Sequence, residues 1–201
     1  MSFFHSLLSL LLTVASVFAY TPLSNTSLLN LPSPGKDFDI RNGAILAPIL
    51  RPRVPGTADI EEVRLHFINF FQKNLPSWHI AYENSTQNTA LRKRIFFSNL
   101  IMTRDPPWAK PGDVGRLTLV AHYDSKISPK GFIGATDSAA PCAMLMHVAR
   151  SIDEALTNKW SAMQQAGQTG KQAEKGVQVI FLDGEEAFVE WSAKDSVYGA
   201  R

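Results

Sequence analysis

The sequence predicts an α/β fold with parallel strand pairing, and three observations carry that reading. Leu117 to Ala121 is a short apolar run containing β-branched residues, Val177 to Leu182 is a second, and a helical pattern from about Ser138 to Leu156 lies between them. Strand, helix and strand in that order form a crossover, which pairs its two strands in parallel. Ligand sites in such sheets lie beyond the carboxyl ends of the strands. His122, Asp124, Asp137, Asp183, Glu185 and Glu186 all fall at or just after those ends. Composition agrees with one domain and a real core: 201 residues, 45% hydrophobic and 19% charged, with a net charge of +2. Lysines and arginines are scattered without a basic stripe, so no nucleic-acid partner is expected.

In chain order, residues 1–19 read as a cleaved signal peptide. An apolar run from Leu7 to Phe18 ends in Val17-Phe18-Ala19, with small residues where signal peptidase reads. The run is too short and too poorly flanked by charge for a membrane span, and a buried N-terminal helix is the alternative. After cleavage no span is expected, and the chain is assigned to the secretory pathway. The sequons Asn25-Thr26-Ser27 and Asn84-Ser85-Thr86 agree and make Asn25 and Asn84 candidate glycosylation sites. Residues 20–55 carry Pro22, Pro32, Pro34, Pro48, Pro52 and Pro55 and read as a loop-rich lead-in with one short helix near Ile45 to Leu50.

The main α/β domain is placed at 56–201. Asp59, with Glu62 three residues on, is positioned to cap a helix. Its apolar stripe is Ile60, Val63, Phe67, Phe70 and Phe71, a core face, and it ends before Pro76. Trp78 to Tyr82 and Arg94 to Met102 read as a hairpin-like pair of strands around a polar turn. Leu117 to Ala121 has the look of a strand buried on both faces. The helix that follows takes Pro141 in its first turn and presents Met144, Leu145, Val148, Ile152, Ala155 and Leu156. Thr157 to Gly176 reads as an exposed loop. Cys142 is the single cysteine, cannot form an internal bridge, and reads as a small buried side chain.

The chemistry gathers at Phe181-Leu182-Asp183-Gly184-Glu185-Glu186-Ala187-Phe188. Two adjacent glutamates at the end of a buried strand repel unless a positive group sits beside them. A divalent metal is such a partner, with one glutamate as ligand and the other free as an acid/base. A solvated charged loop is the plain alternative.

From about Arg51 to Arg201 the chain resembles secreted glutaminyl-peptide cyclotransferases (glutaminyl cyclases) of the M28 zinc-aminopeptidase-like family. The matching pieces are Leu119-Val-Ala-His122-Tyr-Asp124-Ser-Lys126, Gly134-Ala-Thr-Asp137-Ser138-Ala-Ala-Pro-Cys142-Ala143, Asp183-Gly-Glu185-Glu186-Ala-Phe188, Trp191, and Asp195-Ser-Val-Tyr-Gly-Ala-Arg201. The tract from Asp183 to Arg201 points to cyclases over aminopeptidases.

The resemblance implies a three-layer sandwich on a mixed, largely parallel central sheet. It implies one Zn2+ held by Asp137 and Glu186, Glu185 as catalytic acid/base, and Trp191 as a wall of the substrate pocket. A packed core aromatic is the alternative for Trp191. His122 and Asp124 match the place where two-zinc relatives hold a second metal through the histidine. Because cyclases of this type generally lack that metal, both are expected to support the ligands from behind. Asp183 and Ser138 are expected to act structurally through hydrogen bonds.

The family's third zinc ligand, a histidine, falls beyond Arg201, and His66, His79 and His147 do not match it. Ala121 stands where many animal relatives carry a cysteine paired with the one matching Cys142, which leaves Cys142 free. The implied substrates are peptides and proteins with N-terminal glutamine, converted to pyroglutamate with release of ammonia. An M28 zinc aminopeptidase and a catalytically incomplete secreted fragment are the alternatives. The last is kept because the chain stops without a visible terminating element and reads as truncated.

Overall fold

The computed structural model describes residues 23–170 and 174–200. The expected signal peptide lies outside the described residues. Up to Ser33 the chain forms a unit of its own. It contains a short helix, α1 (Asn25–Leu29), begun by Ser24, whose hydroxyl accepts the Ser27 N–H at 3.1 Å. Asn25 is exposed at the start of that helix.

From Pro34 onward the chain is a second unit. Its elements are α2 (Ala58–Asn74), β1 (His79–Gln87), β2 (Ile95–Arg104), β3 (Gly115–His122), α3 (Ala140–Gln165) and β4 (Lys175–Leu182). The sheet order is β1-β2-β4-β3. β3 and β4 pair in parallel across the α3 crossover, as the element order predicts, while β1–β2 and β2–β4 are antiparallel. The sheet is therefore mixed, with one parallel pairing among the described strands.

The β1–β2 hairpin registers from His79↔Thr103 to Gln87↔Ile95. The polar residues expected to form the turn, Asn84 to Gln87, extend the strand instead, because backbone pairing at an edge does not require apolar side chains. Asn84 is exposed on that edge.

The core lies between the sheet and α2. Ile60, Val63, Phe67, Phe70 and Phe71 are buried, as their spacing predicts. Phe67 stacks on Phe181 with ring centres 4.3 Å apart, and Phe71 meets Trp78 edge-on at 5.6 Å. The start of α2 differs from expectation. Thr57, with extended backbone, precedes the first turn and makes no side-chain cap. Asp59 and Glu62 turn outward to Arg51 instead of capping. An ion pair with a neighbouring arginine competes with the orphan N–H groups for the same carboxylates.

Three further expectations are corrected. α3 does not stop at Leu156 but runs on to Gln165. Trp160 is buried there under the Arg104 guanidinium, 4.9 Å from its ring centre, and Arg104 also bonds Asp153 and Thr157. A four-residue step from Ile152 through Leu156 to Trp160 continues the helical stripe that the polar residues between disguise.

The buried face of α3 is set by Cys142, Ala143, Met146 and Ala149, whereas Met144 is exposed. Met144 lies two residues from both Cys142 and Met146, so it falls on a different face of the helix from those two buried side chains. Finally, among the described strands β3 comes last in the sheet order, with Leu117 66% and Val120 51% exposed where burial on both faces was expected. Among the described residues it has a partner only in β4.

Residues 34–55, expected as a lead-in, belong to this same unit. Ile45, Leu46 and Ile49 join the core around a single 3-10 turn, Ala47–Ile49, where a short helix was expected. Arg53 is wholly buried and donates to the carbonyls of Ile49, Arg51, Tyr123, Ile133 and Gly134. One guanidinium thereby ties this segment to the end of β3 and to the loop before Asp137. Among the described residues no helix is long and apolar enough to cross a membrane.

Candidate metal and catalytic site

Register builds the site. His122 and Leu182 are partners at the carboxyl ends of the parallel pair, and the Tyr123 N–H continues the ladder to Leu182 O at 2.8 Å. The loops after β3 and β4 therefore leave the sheet side by side. Gly184 turns the second loop with φ 67°, and a Cβ there would stand 2.4 Å from the Phe97 ring, so only glycine fits.

Asp124 organises both loops from beneath. It is wholly buried, and its two oxygens accept the Glu185 N–H at 3.0 Å and the Glu186 N–H at 2.9 Å. Its Oδ1 also lies 3.3 Å from His122 Nδ1. Asp124 thus fixes two glutamate backbones and meets one imidazole. Asp137 arrives from the loop that enters α3. Its Oδ1 accepts the Ser138 hydroxyl at 3.2 Å and lies 2.9 Å from His122 Nε2.

Glu186 is 4% exposed, and its Oε1 is buried without a hydrogen-bond partner. Ligand atoms of His122, Asp137 and Glu186 all lie within 4.8 Å of one another. An orphaned buried carboxylate oxygen facing an imidazole nitrogen and a second carboxylate is a donor set that fits a divalent metal, and its N/O character suits zinc. His122 lies within reach of the two residues expected as ligands.

The electrostatics agree. Burial lowers the affinity of His122 for its proton, but Asp124, Asp137 and Glu185 outweigh it and raise its pKa to about 9. Burial, with the charges of Asp124 and Asp137, raises Glu185 above the ordinary carboxylate range, against the pull of His122 and Lys126. Glu186 is raised first by burial and also by Asp124 and Asp137. Four carboxylates around one imidazole leave an excess of negative charge, the condition under which a cation is drawn in.

Glu185 Oε2 sits 3.9 Å from His122 Nε2 and is only partly buried. It is free to exchange a proton with a molecule in the opening. Trp191 is 57% exposed. It lines a cavity of about 290 Å3 with Lys126, Ile127, Glu186, Phe188 and Val189.

Asp183 is structural, as expected. Its Oδ2 accepts the Ser98 N–H at 3.0 Å and faces the Tyr123 hydroxyl at 3.2 Å and Arg64 at 3.8 Å. Burial, with the nearby Asp124 charge, raises it to about 7. His66 bonds the Ile45 carbonyl and His147 meets Phe38 edge-on, and neither joins the donor ring. Cys142 is free and buried, its thiol donating to His122 O at 3.1 Å. Arg53 and Asp195 are the structural residues that sequence reasoning missed. Arg53 lies among prolines and apolar residues with no periodic signal, and its role emerges only when distant carbonyls converge on it.

Fold and site together define an α/β protein with a group of residues that could hold a metal ion at the ends of its parallel strands. Residues 99–201 match the model of Peptidase family M28, just over half of the chain, and the chain belongs to that family. It is 40% identical over 162 residues to the glutaminyl-peptide cyclotransferase-like protein of Mus musculus, covering 79% of this chain and 38% of that protein. The solved structure of Macrostomum lignano glutaminyl cyclase superposes with a TM-score of 0.68 and 31% identity, over 90% of this chain and 48% of that one. A Zn-dependent exopeptidase from Parabacteroides distasonis shares the fold, with a TM-score of 0.56 and 18% identity over 83% of this chain and 53% of its own. The chain spans less than half the length of the curated relative and of the cyclase structure.

Proposed function

We propose that the protein acts as a zinc-dependent glutaminyl-peptide cyclotransferase, closing an N-terminal glutamine to pyroglutamate with release of ammonia. The observation that carries this reading is the division of labour between Glu185 and Glu186. Asp124 pins both backbones, Glu186 is buried within reach of His122 and Asp137 with one oxygen lacking a hydrogen-bond partner, and Glu185 is only partly buried. Asp137 and Glu186 would hold Zn2+ together with the further histidine that the resemblance implies beyond Arg201, with His122 beside them, which leaves one position open for substrate. When bound, the metal supplies polarisation of the γ-carbonyl and a counter-charge for its oxygen.

The α-amine of the substrate attacks its own γ-amide carbon, forming a C–N bond while the amide C–N bond breaks. Glu185 takes a proton from the attacking amine and passes it to the departing nitrogen, and its raised proton affinity suits both halves of that task. Attack within one residue supplies much of the proximity advantage. Trp191 and the cavity beside it exclude water and hold the folded side chain. A signal peptide at residues 1–19 and glycans on the exposed Asn25 and Asn84 would place the protein in the secretory pathway.

His122 also favours a second reading. Its Nε2, 2.9 Å from Asp137, suits a two-metal aminopeptidase in which Glu185 activates water. One experiment separates them: zinc stoichiometry and products measured on a Gln-peptide with the full protein. One zinc, ammonia and a blocked N-terminus support the cyclase. Two zincs with a freed amino acid overturn it.

A further inference from the structure

The tract after Trp191 does not simply trail away from the site. Asp195 is buried, and its carboxylate gathers four donors. Oδ1 accepts the Phe188 N–H at 3.0 Å and the Tyr198 hydroxyl at 2.6 Å, and Oδ2 accepts the Val189 N–H at 2.8 Å and the Glu190 N–H at 2.9 Å. Three consecutive backbone N–H groups thus curl round one anion.

The next residues are zipped to the catalytic loop. Val197 N–H bonds Glu185 O at 2.9 Å, Tyr198 N–H bonds Gly184 O at 2.7 Å, and Gly199 N–H bonds Asp183 O at 3.1 Å. The Tyr198 ring lies parallel to Phe97, 5.5 Å away and tilted by 5°, and meets Phe188 edge-on. Asn99 fastens the far end, donating to Gly199 O at 2.6 Å and accepting from Asp183 N–H at 2.9 Å.

Two of the residues Asp195 holds, Phe188 and Val189, line the cavity next to Glu186 together with Trp191. We infer that Asp195 is a positioning residue: it locks the wall Phe188–Trp191 onto a brace anchored at Asp183–Glu185, and so sets how tightly the substrate is gripped against Glu185. The inference rests on the cyclase reading for its substrate but not for its geometry. Burial works against the Asp195 anion, but the Tyr198 hydroxyl and the three N–H groups outweigh it and bring its pKa down to about 2. The anion that organises the wall therefore persists through the neutral range.

Asp195→Asn is the test, in the full protein. Whichever way the amide turns, an NH2 group replaces an accepting oxygen and faces backbone N–H donors. Hydrogen exchange at Phe188, Val189 and Glu190 should accelerate at least about tenfold, and KM for a Gln-peptide should rise about tenfold, the scale of one lost hydrogen bond. kcat and zinc affinity should stay within about threefold, since neither Glu185 nor a ligand is touched.

Tyr198→Phe keeps the ring packing and removes one donor. It should shift exchange and KM the same way by less, and it decides the matter if Asp195→Asn does not fold. Amides that stay protected overturn the brace. Amides released with KM unchanged, or kcat and zinc affinity collapsing together with KM, overturn the positioning role. If the unaltered protein releases no ammonia, the cyclase reading fails, while exchange at these three amides still decides the brace.

Discussion

Glu185 and Glu186 are neighbours in the chain, and the proposed function gives them separate roles on a backbone held by a third residue. Asp124 accepts both of their N–H groups, so both side chains start from a fixed backbone. That arrangement predicts two distinct failures. Glu185→Gln should lower kcat by roughly 10²- to 10⁴-fold, the usual worth of a general acid/base, with zinc affinity retained. Glu186→Gln should instead weaken zinc, with activity recovering in part as the metal concentration is raised. Parallel zinc titrations and steady-state kinetics check both, and equal zinc loss in the two variants would contradict the assignment.

At the scale of elements, α3 carries the loop of Asp137 at one end and Trp160 near the other. Trp160 is held by Arg104, which also bonds Asp153 and Thr157 across the last turns. Trp160→Ala should cost about 3 kcal/mol of stability, the low end for a buried aromatic, and lower the helical signal. It should leave zinc affinity intact, because the lesion lies many turns from the donor ring. Thermal melts and circular dichroism with a zinc titration test this. The case also shows what hid the end of the helix: Thr157 to Lys159 are polar and exposed, and only the packing of Trp160 on a β2 arginine reveals that the stripe continues.

At the scale of the whole molecule, a buried polar layer ties α2, the sheet and the catalytic loop together through Arg64, Tyr123, Ser98 and Asp183. Asp183 keeps its proton up to about pH 7, against an ordinary value of 3.8. The folded state therefore binds more protons than the unfolded one between about pH 4 and 7, and stability falls as pH rises through that window. Asp183→Asn has no such proton to lose. The difference in stability between the original protein and the variant should shrink or reverse in the variant's favour from pH 4 to 7, as denaturant unfolding at several pH values would read. A difference independent of pH would show that Asp183 is ionised throughout.

The sequence by itself determined the crossover that makes β3 and β4 parallel, the aromatic stripe of α2, and the gathering of acids at the strand ends. Each is a local signal, because periodicity and chain order are written along the backbone. The resemblance of its motifs pointed further, to Asp137, Glu185 and Glu186. Only the tertiary structure decided the remainder. It put His122 among the donor atoms, Asp124 beneath two glutamates, Arg53 under five carbonyls, and Asp195 behind the pocket wall. These depend on groups far apart in the chain converging on one point, and a buried charge is defined by that convergence and not by the residues beside it.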